Sequence, residues 1–134
     1  MIKRLLGLML LVSVLSGCSE PPYTNVDNEQ LKVLIDQGVP VYDIRRADEW
    51  QQTGIVAGSH KLTFVDAGGR GSDRFLERFT AEVSKDAPVV LICRTGNRTD
   101  KLGRYLVEKL GYTQVYNVRD GITRWISAGN PVSK

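Results

Sequence analysis

Pro88-Val89-Val90-Leu91-Ile92-Cys93-Arg94-Thr95-Gly96-Asn97-Arg98-Thr99 is the stretch on which the reading of this chain turns. Residues 88–92 are continuously apolar and rich in β-branched side chains, the composition of a central parallel strand covered on both faces. A short loop with Gly96 and Asn97 follows. Leu102, Tyr105, Leu106 and Leu110 then recur at helical spacing until Gly111 ends the run. A buried strand that passes through a tight loop into a helix is half of a βαβ unit, so further strands must lie beside it.

Working toward the N-terminus, Phe75, Leu76, Phe79 and Val83 predict a helix, preceded by a Gly-rich connection at 66–72 and an extended segment at 60–65. Residues 54–59 read as a turn, 47–52 as a brief helix and 39–44 as a short buried strand. Asp27 can cap a helix whose third position is Gln30, with Leu31, Leu34 and Ile35 on its apolar face and Gly38 at its end. Toward the C-terminus, 115–118 read as the last strand and 121–128 as a closing helix carrying Ile122, Trp125 and Ile126. Strands alternating with helices over one core predict a three-layer α/β domain with a mainly parallel sheet and right-handed crossovers.

Composition agrees. With 134 residues, 42% hydrophobic and 25% charged, the chain suits one globular domain and has no room for a second of normal size. Two Cys exclude a disulfide-stapled scaffold, and one His excludes the usual zinc site. The 13 Gly follow no repeat. The Gly-rich segment 66–72 lacks the Gly-Lys-Ser/Thr ending of a phosphate-binding loop and reads as a connection.

The first residues carry a different signal. Lys3 and Arg4 precede an apolar run from Leu5 to Leu15 that is too short to span a bilayer, and Ser16-Gly17-Cys18 follows. This resembles a bacterial lipoprotein signal. The resemblance implies cleavage after Gly17 and lipidation of Cys18, with residues 18–26, including Pro21 and Pro22, as a tether to a domain at 27–134. Ser at position 19 resembles signals sorted to the periplasmic face of the outer membrane in a Gram-negative cell. Removing residues 1–17 takes Lys3 and Arg4 from 18 basic groups and none of the 15 acids, so the net side-chain charge falls to about +1. That balance gives no sign of a nucleic-acid partner.

In an open parallel sheet, ligands bind beyond the carboxyl ends of the strands, which is where 88–92 deliver Cys93. The following loop and helix N-terminus can turn several backbone N–H groups toward one sulfur, an arrangement that favours the thiolate and any anion bonded to it. Arg94 and Arg98 supply forked donors for an anionic substrate, and Thr99 either caps the helix or lines the pocket. If Cys18 is acylated, Cys93 is the one remaining thiol, which marks it as a candidate nucleophile.

These pieces together resemble the rhodanese family of sulfurtransferase domains. The resemblance rests on Val41-Tyr-Asp-Ile-Arg45, Asp48-Glu49-Trp50, Gly54-Ile-Val-Ala-Gly58, Cys93-Arg-Thr-Gly-Asn-Arg98 and Tyr116-Asn-Val-Arg-Asp-Gly121 with Trp125, in that order. It implies a five-stranded sheet flanked by helices, Cys93 as the sulfur-accepting nucleophile, and Arg94, Thr95, Gly96, Asn97, Arg98 and Thr99 as the persulfide cradle. Asp43 and Arg45 match a pair whose role there is chiefly structural. Many members carry His in the turn where this chain has Ile55, and His60 lies beyond that turn without an assigned role.

The reaction so implied moves sulfane sulfur from a small thiosulfate-like anion through a Cys93 persulfide to a thiol or cyanide, and it calls for no metal or organic cofactor. A binding or sulfur-carrier module at the envelope is the rival reading. A phosphatase needs Cys and Arg separated by five residues, and here four intervene. A dithiol oxidoreductase needs a Cys-x-x-Cys pair that the chain lacks.

Overall fold

In the computed structural model, residues 19–134 are described, so Cys18 and the proposed signal at 1–17 lie outside the described residues. Among the described residues five helices surround a five-stranded sheet. Strands β1 (Thr24–Val26), β2 (Val41–Asp43), β4 (His60–Lys61), β5 (Val89–Ile92) and β6 (Val115–Val118) form the sheet in the order β1-β6-β5-β2-β4, every neighbouring pair parallel. The helices are α1 (Asn28–Asp36), α2 (Ala47–Thr53), α3 (Asp73–Glu82), α4 (Asn97–Glu108) and α5 (Gly121–Ser127).

The period-two alternation of β5 divides the core. Val89, Leu91 and Cys93 join Phe75, Phe79, Leu102 and Leu106 of α3 and α4 in one apolar cluster. Val90 and Ile92 point the other way, to Leu31 of α1 and Ile122 and Trp125 of α5. Both faces of the central strand are therefore dry, which is why 88–92 could be read as an unbroken apolar run. Asp27 caps α1 as the sequence implied, its carboxylate accepting from the Gln30 N–H at 2.8 Å while the Asp27 N–H donates to the Gln30 side chain at 2.9 Å.

Three local expectations are corrected. Thr24–Val26 belongs to the sheet rather than to a tether, pairing in register with Tyr116, Asn117 and Val118, and Tyr23 is already buried. Its ring packs on Gly103, where an added Cβ would lie 2.7 Å from the ring, so no side chain larger than hydrogen fits beneath it. The extended segment at 60–65 is a strand only over His60–Lys61; beyond it Val65 bridges Gly71 and closes the following loop on itself. Residues 54–59 are more than a turn, because β3 (Ile55–Val56) pairs antiparallel with β7 (Val132–Ser133) and clips the C-terminus to the domain. Two-residue strands carry too little periodicity to be seen in sequence.

Candidate active site

Cys93 follows the last residue of β5 and is only 1% exposed, at the floor of a cleft of about 350 Å³ whose walls include Arg46, Glu49, Arg94, Asn97 and Arg98. Two groups reach its sulfur. The Gly96 N–H donates to Sγ at 3.2 Å, and the Thr99 Oγ1 lies 3.3 Å from it. The convergence of several amides expected from the sequence is thus narrower, one backbone N–H and one hydroxyl among the described residues. Thr99 is the third residue of α4 and fully buried; Gly96, not Thr99, occupies the cap position. Its hydroxyl also reaches the Gly96 carbonyl at 3.1 Å. Thr99 neither caps the helix nor lines the cleft; it is buried behind Cys93 with its hydroxyl at the sulfur.

Two glycines let the loop fold so tightly. Gly96 adopts φ +97°, and a Cβ there would sit 2.2 Å from the Arg119 carbonyl oxygen. Gly121, at φ +67°, packs so close to the loop that its Cβ would meet the Arg94 carbonyl oxygen at 2.2 Å. The start of α5 is thereby placed under the loop, where the Ile122 and Thr123 N–H groups donate to the carbonyls of Cys93 and Arg94 at 2.9 and 3.2 Å. Those two unpaired N–H groups at the helix start are spent on fixing the cysteine loop.

Arg98 departs from its expected role. Its two terminal nitrogens donate to the two Glu49 oxygens at 2.7 Å each, so the fork expected for a substrate anion is committed to a protein carboxylate. Glu49 also accepts from the Arg46 N–H at 3.0 Å. The Arg98 hydrogen bonds, aided by the Arg46 amide and both guanidinium charges, hold the Glu49 carboxyl down to about 2 against the opposing effect of burial. Arg98 is raised in turn by the same bonds. Arg94 is exposed and makes no ion pair among the described residues, leaving it as the free cation beside Cys93. Glu49 and Arg46 were not singled out from the sequence; the signal was present in Asp48-Glu49-Trp50, where an acid falls at the third position of a short helix.

Asp43 and Arg45 are both fully buried, and their ion pair is 2.8 Å long. Arg45 also donates to the Thr53 hydroxyl and the Gly54 carbonyl, and Asp43 accepts from the Trp50 indole at 3.0 Å. The network ties β2 to α2 and so sets the height of Glu49 over the cleft. Asn97 is exposed at the start of α4 and Thr95 is exposed in the loop. His60 is exposed on the edge strand, stacked on Tyr42 with centroids 4.7 Å apart, away from the cleft. Among the described residues no three His, Cys, Asp or Glu gather as a metal site, and no helix is long and apolar enough to cross a membrane.

The profile of the rhodanese-like domain matches residues 27–128, nearly all of the folded part. The chain belongs to the rhodanese-like domain family. The domain is 27% identical over 103 residues to the thiosulfate sulfurtransferase GlpE of Pseudomonas savastanoi, spanning 77% of this chain and 87% of that one. Its fold is shared with the polysulfide-sulfur transferase homodimer of Wolinella succinogenes, at TM-score 0.64, 22% identity and coverage of 84% and 79%. It is also shared with the Bacillus anthracis CoADR-RHD protein, at TM-score 0.66 and 24% identity over 84% of this chain, which spans only 18% of that longer protein. A rhodanese-like domain whose relatives are named sulfurtransferases, with its cysteine intact at the strand tip, supports sulfurtransferase activity.

Proposed function

We propose that this protein transfers sulfane sulfur from a small anionic donor of the thiosulfate kind to a thiol or to cyanide, with Cys93 as the carrier. The observation that carries the reading is the placement of Cys93 Sγ on the floor of a polar cleft with the Gly96 N–H and the Thr99 hydroxyl at hydrogen-bonding distance. The Cys93 thiolate attacks the outer sulfur of thiosulfate; the bond between the two donor sulfurs breaks, and its electron pair leaves with sulfite. Cys93 then holds a persulfide. An acceptor nucleophile bonds the outer sulfur, and the pair of the Sγ–S bond returns to Cys93. No metal or organic cofactor enters either step. Arg94 attracts the donor's charge, and Gly96 and Thr99 stabilise charge on the sulfur.

We further propose that the protein is exported and held by lipid on Cys18, at the periplasmic face of the outer membrane if the cell is Gram-negative, on the strength of the sequence of its first 19 residues alone.

Intact mass measurement of the purified protein before and after thiosulfate tests the chemistry. A gain of about 32 Da that maps to Cys93 and vanishes with cyanide is expected. No gain, with Cys93 still open to alkylation, would turn the reading to a binding or carrier module.

A further inference from the structure

The sulfur and its two hydrogen-bonding partners belong to different layers. Cys93 follows β5 of the sheet, whereas Gly96 and Thr99 are the cap and the third residue of α4. The gap across which the Gly96 N–H meets Sγ is therefore set by where the first turn of α4 sits against the sheet. Leu102 and Leu106 hold the helix down by apolar packing, which has no direction of its own.

Tyr23 adds a directed contact at that first turn. Its hydroxyl donates to Oδ1 of Asp100, the same oxygen that accepts from Arg104 Nε at 2.9 Å, and the Arg104 guanidinium carbon lies 5.9 Å from the centre of the Tyr23 ring. The ring itself rests on Gly103, one helical turn further along. Asp100 donates its backbone N–H to the Gly96 carbonyl at 3.0 Å, and the Thr99 hydroxyl reaches that same carbonyl at 3.1 Å. A run of three hydrogen bonds thus leads from the Tyr23 hydroxyl through Asp100 and Gly96 to Sγ.

The other end of this run is fixed to the sheet. Thr24, Asn25 and Val26 pair in register with Tyr116, Asn117 and Val118, the Asn117 amide donates to Asn25 Oδ1 at 3.0 Å, and β6 pairs with β5. The Tyr23 side chain therefore bridges the sheet that carries the sulfur and the helix that carries its partners. Burial and the Asp100 carboxylate push the Tyr23 hydroxyl up to about 12, so it remains a donor throughout the neutral range. Tyr23 lies before residue 27, where the family match begins.

We propose that Tyr23 is a positioning residue for the Cys93 loop, holding Gly96 through Asp100 so that the Gly96 N–H meets the sulfur. Its effect on sulfur loading rests on the persulfide reading above, whereas its effect on the thiol does not.

Two readouts on the purified protein at neutral pH separate those effects: single-turnover gain of sulfur from thiosulfate, and alkylation of Cys93 by iodoacetamide. Tyr23→Phe keeps the ring on Gly103 and removes the hydroxyl. It should slow both about five-fold, one hydrogen bond lost from the loop's support, with the half-saturating thiosulfate concentration unchanged. Asp100→Ala should slow both to the same degree and add nothing to Tyr23→Phe in the double variant. Asp100→Asn retains Oδ1 as an acceptor and should restore most of both rates. Val26→Ala loosens the same strand on its other face, where Val26 packs with Leu31 and Ile122, and should lower thermal stability without slowing either reaction. Unchanged rates in Tyr23→Phe, faster alkylation, or an equal slowing by Val26→Ala overturns the positioning role and leaves Tyr23 a packing residue. A wild type that gains no sulfur overturns the persulfide reading alone, and the alkylation rates still decide on Tyr23.

Discussion

Glu49 and Arg98 meet fork to fork, both carboxylate oxygens 2.7 Å from guanidinium nitrogens contributed by a helix 49 residues further along the chain. The pair joins α2 to the start of α4 directly over the cysteine loop, and it is largely shielded from water. Glu49 sits near 2, below its ordinary 4.5, chiefly because of Arg98. A carboxyl depressed in the folded state stabilises the protein above its unfolded value and loses that contribution as pH falls toward the folded one. Glu49→Gln should therefore lower stability by about 2–4 kcal/mol near pH 7, because it leaves Arg98 without its counterion. The gap to wild type should narrow between pH 4.5 and about 2. Urea unfolding across that range checks this; a gap that stays constant with pH would remove the ion pair as its cause.

With Arg98 held by Glu49, Arg94 is the cation we propose for the donor's charge. Arg94→Ala should raise KM for an anionic donor about ten-fold relative to a neutral one, the effect of losing one charge-assisted contact. Arg98→Ala should harm both donors alike, because it frees Glu49 and loosens the loop. Steady-state kinetics with thiosulfate and a neutral sulfur donor distinguish the two. A selective loss of thiosulfate use in Arg98→Ala would return Arg98 to the substrate.

The Glu49–Arg98 pair shows which parts of the site were legible in the sequence. The place of Cys93 at a strand tip was, because a continuous β-branched run followed by a Gly-containing loop and a helix start marks where a central strand ends. Asp43 and Arg45 were legible through motif order, and the structure gives their physical reason in a fully buried network with Trp50 and Thr53. The partner of Arg98 was not legible, because sequence shows an exposed-looking cation but not the acid that arrives from α2. The Thr24–Val26 strand was obscured by its polar residues and by the prolines before it: on a sheet edge only Val26 is buried, so no alternation shows. The β3–β7 clip joins segments more than 70 residues apart, with two residues on each side, and local pattern carries no trace of it.

Thr99 has one hydroxyl proton and two acceptors, the Gly96 carbonyl at 3.1 Å and Cys93 Sγ at 3.3 Å. When the sulfur is a thiol, its own proton can go to Oγ1 while the hydroxyl donates to Gly96; when the sulfur is charged, the hydroxyl can turn to it. Thr99→Val keeps the shape and removes the proton. It should slow sulfur transfer and Cys93 alkylation about ten-fold, one hydrogen bond to a charged atom, with Thr99→Ser restoring both. A loss of thermal stability without any change in alkylation rate would make Thr99 a packing residue only.

The buried Tyr23 sets how the domain would stand on a membrane. Its hydroxyl donates to Asp100 and its ring covers Gly103, so the chain is fixed to the domain only four residues after Ser19. The five residues from Cys18 to Tyr23 reach about 18 Å at most, which would hold a domain lipidated at Cys18 close against the bilayer. Thr24 enters the sheet level with Tyr116 and Val90, and β1 runs parallel to β5, toward the end where Cys93 lies. The chain therefore enters the domain at the end of the sheet opposite the cleft, and in a protein lipidated at Cys18 the cleft would face away from the lipid. Radiolabelled palmitate should mark the wild type and not Cys18→Ala, which should also leave the membrane fraction. Anchored and released proteins should turn over thiosulfate at equal rates. An unlabelled wild type would dismiss the lipid anchor, and activity that rises sharply on release would mean the cleft is turned toward the bilayer.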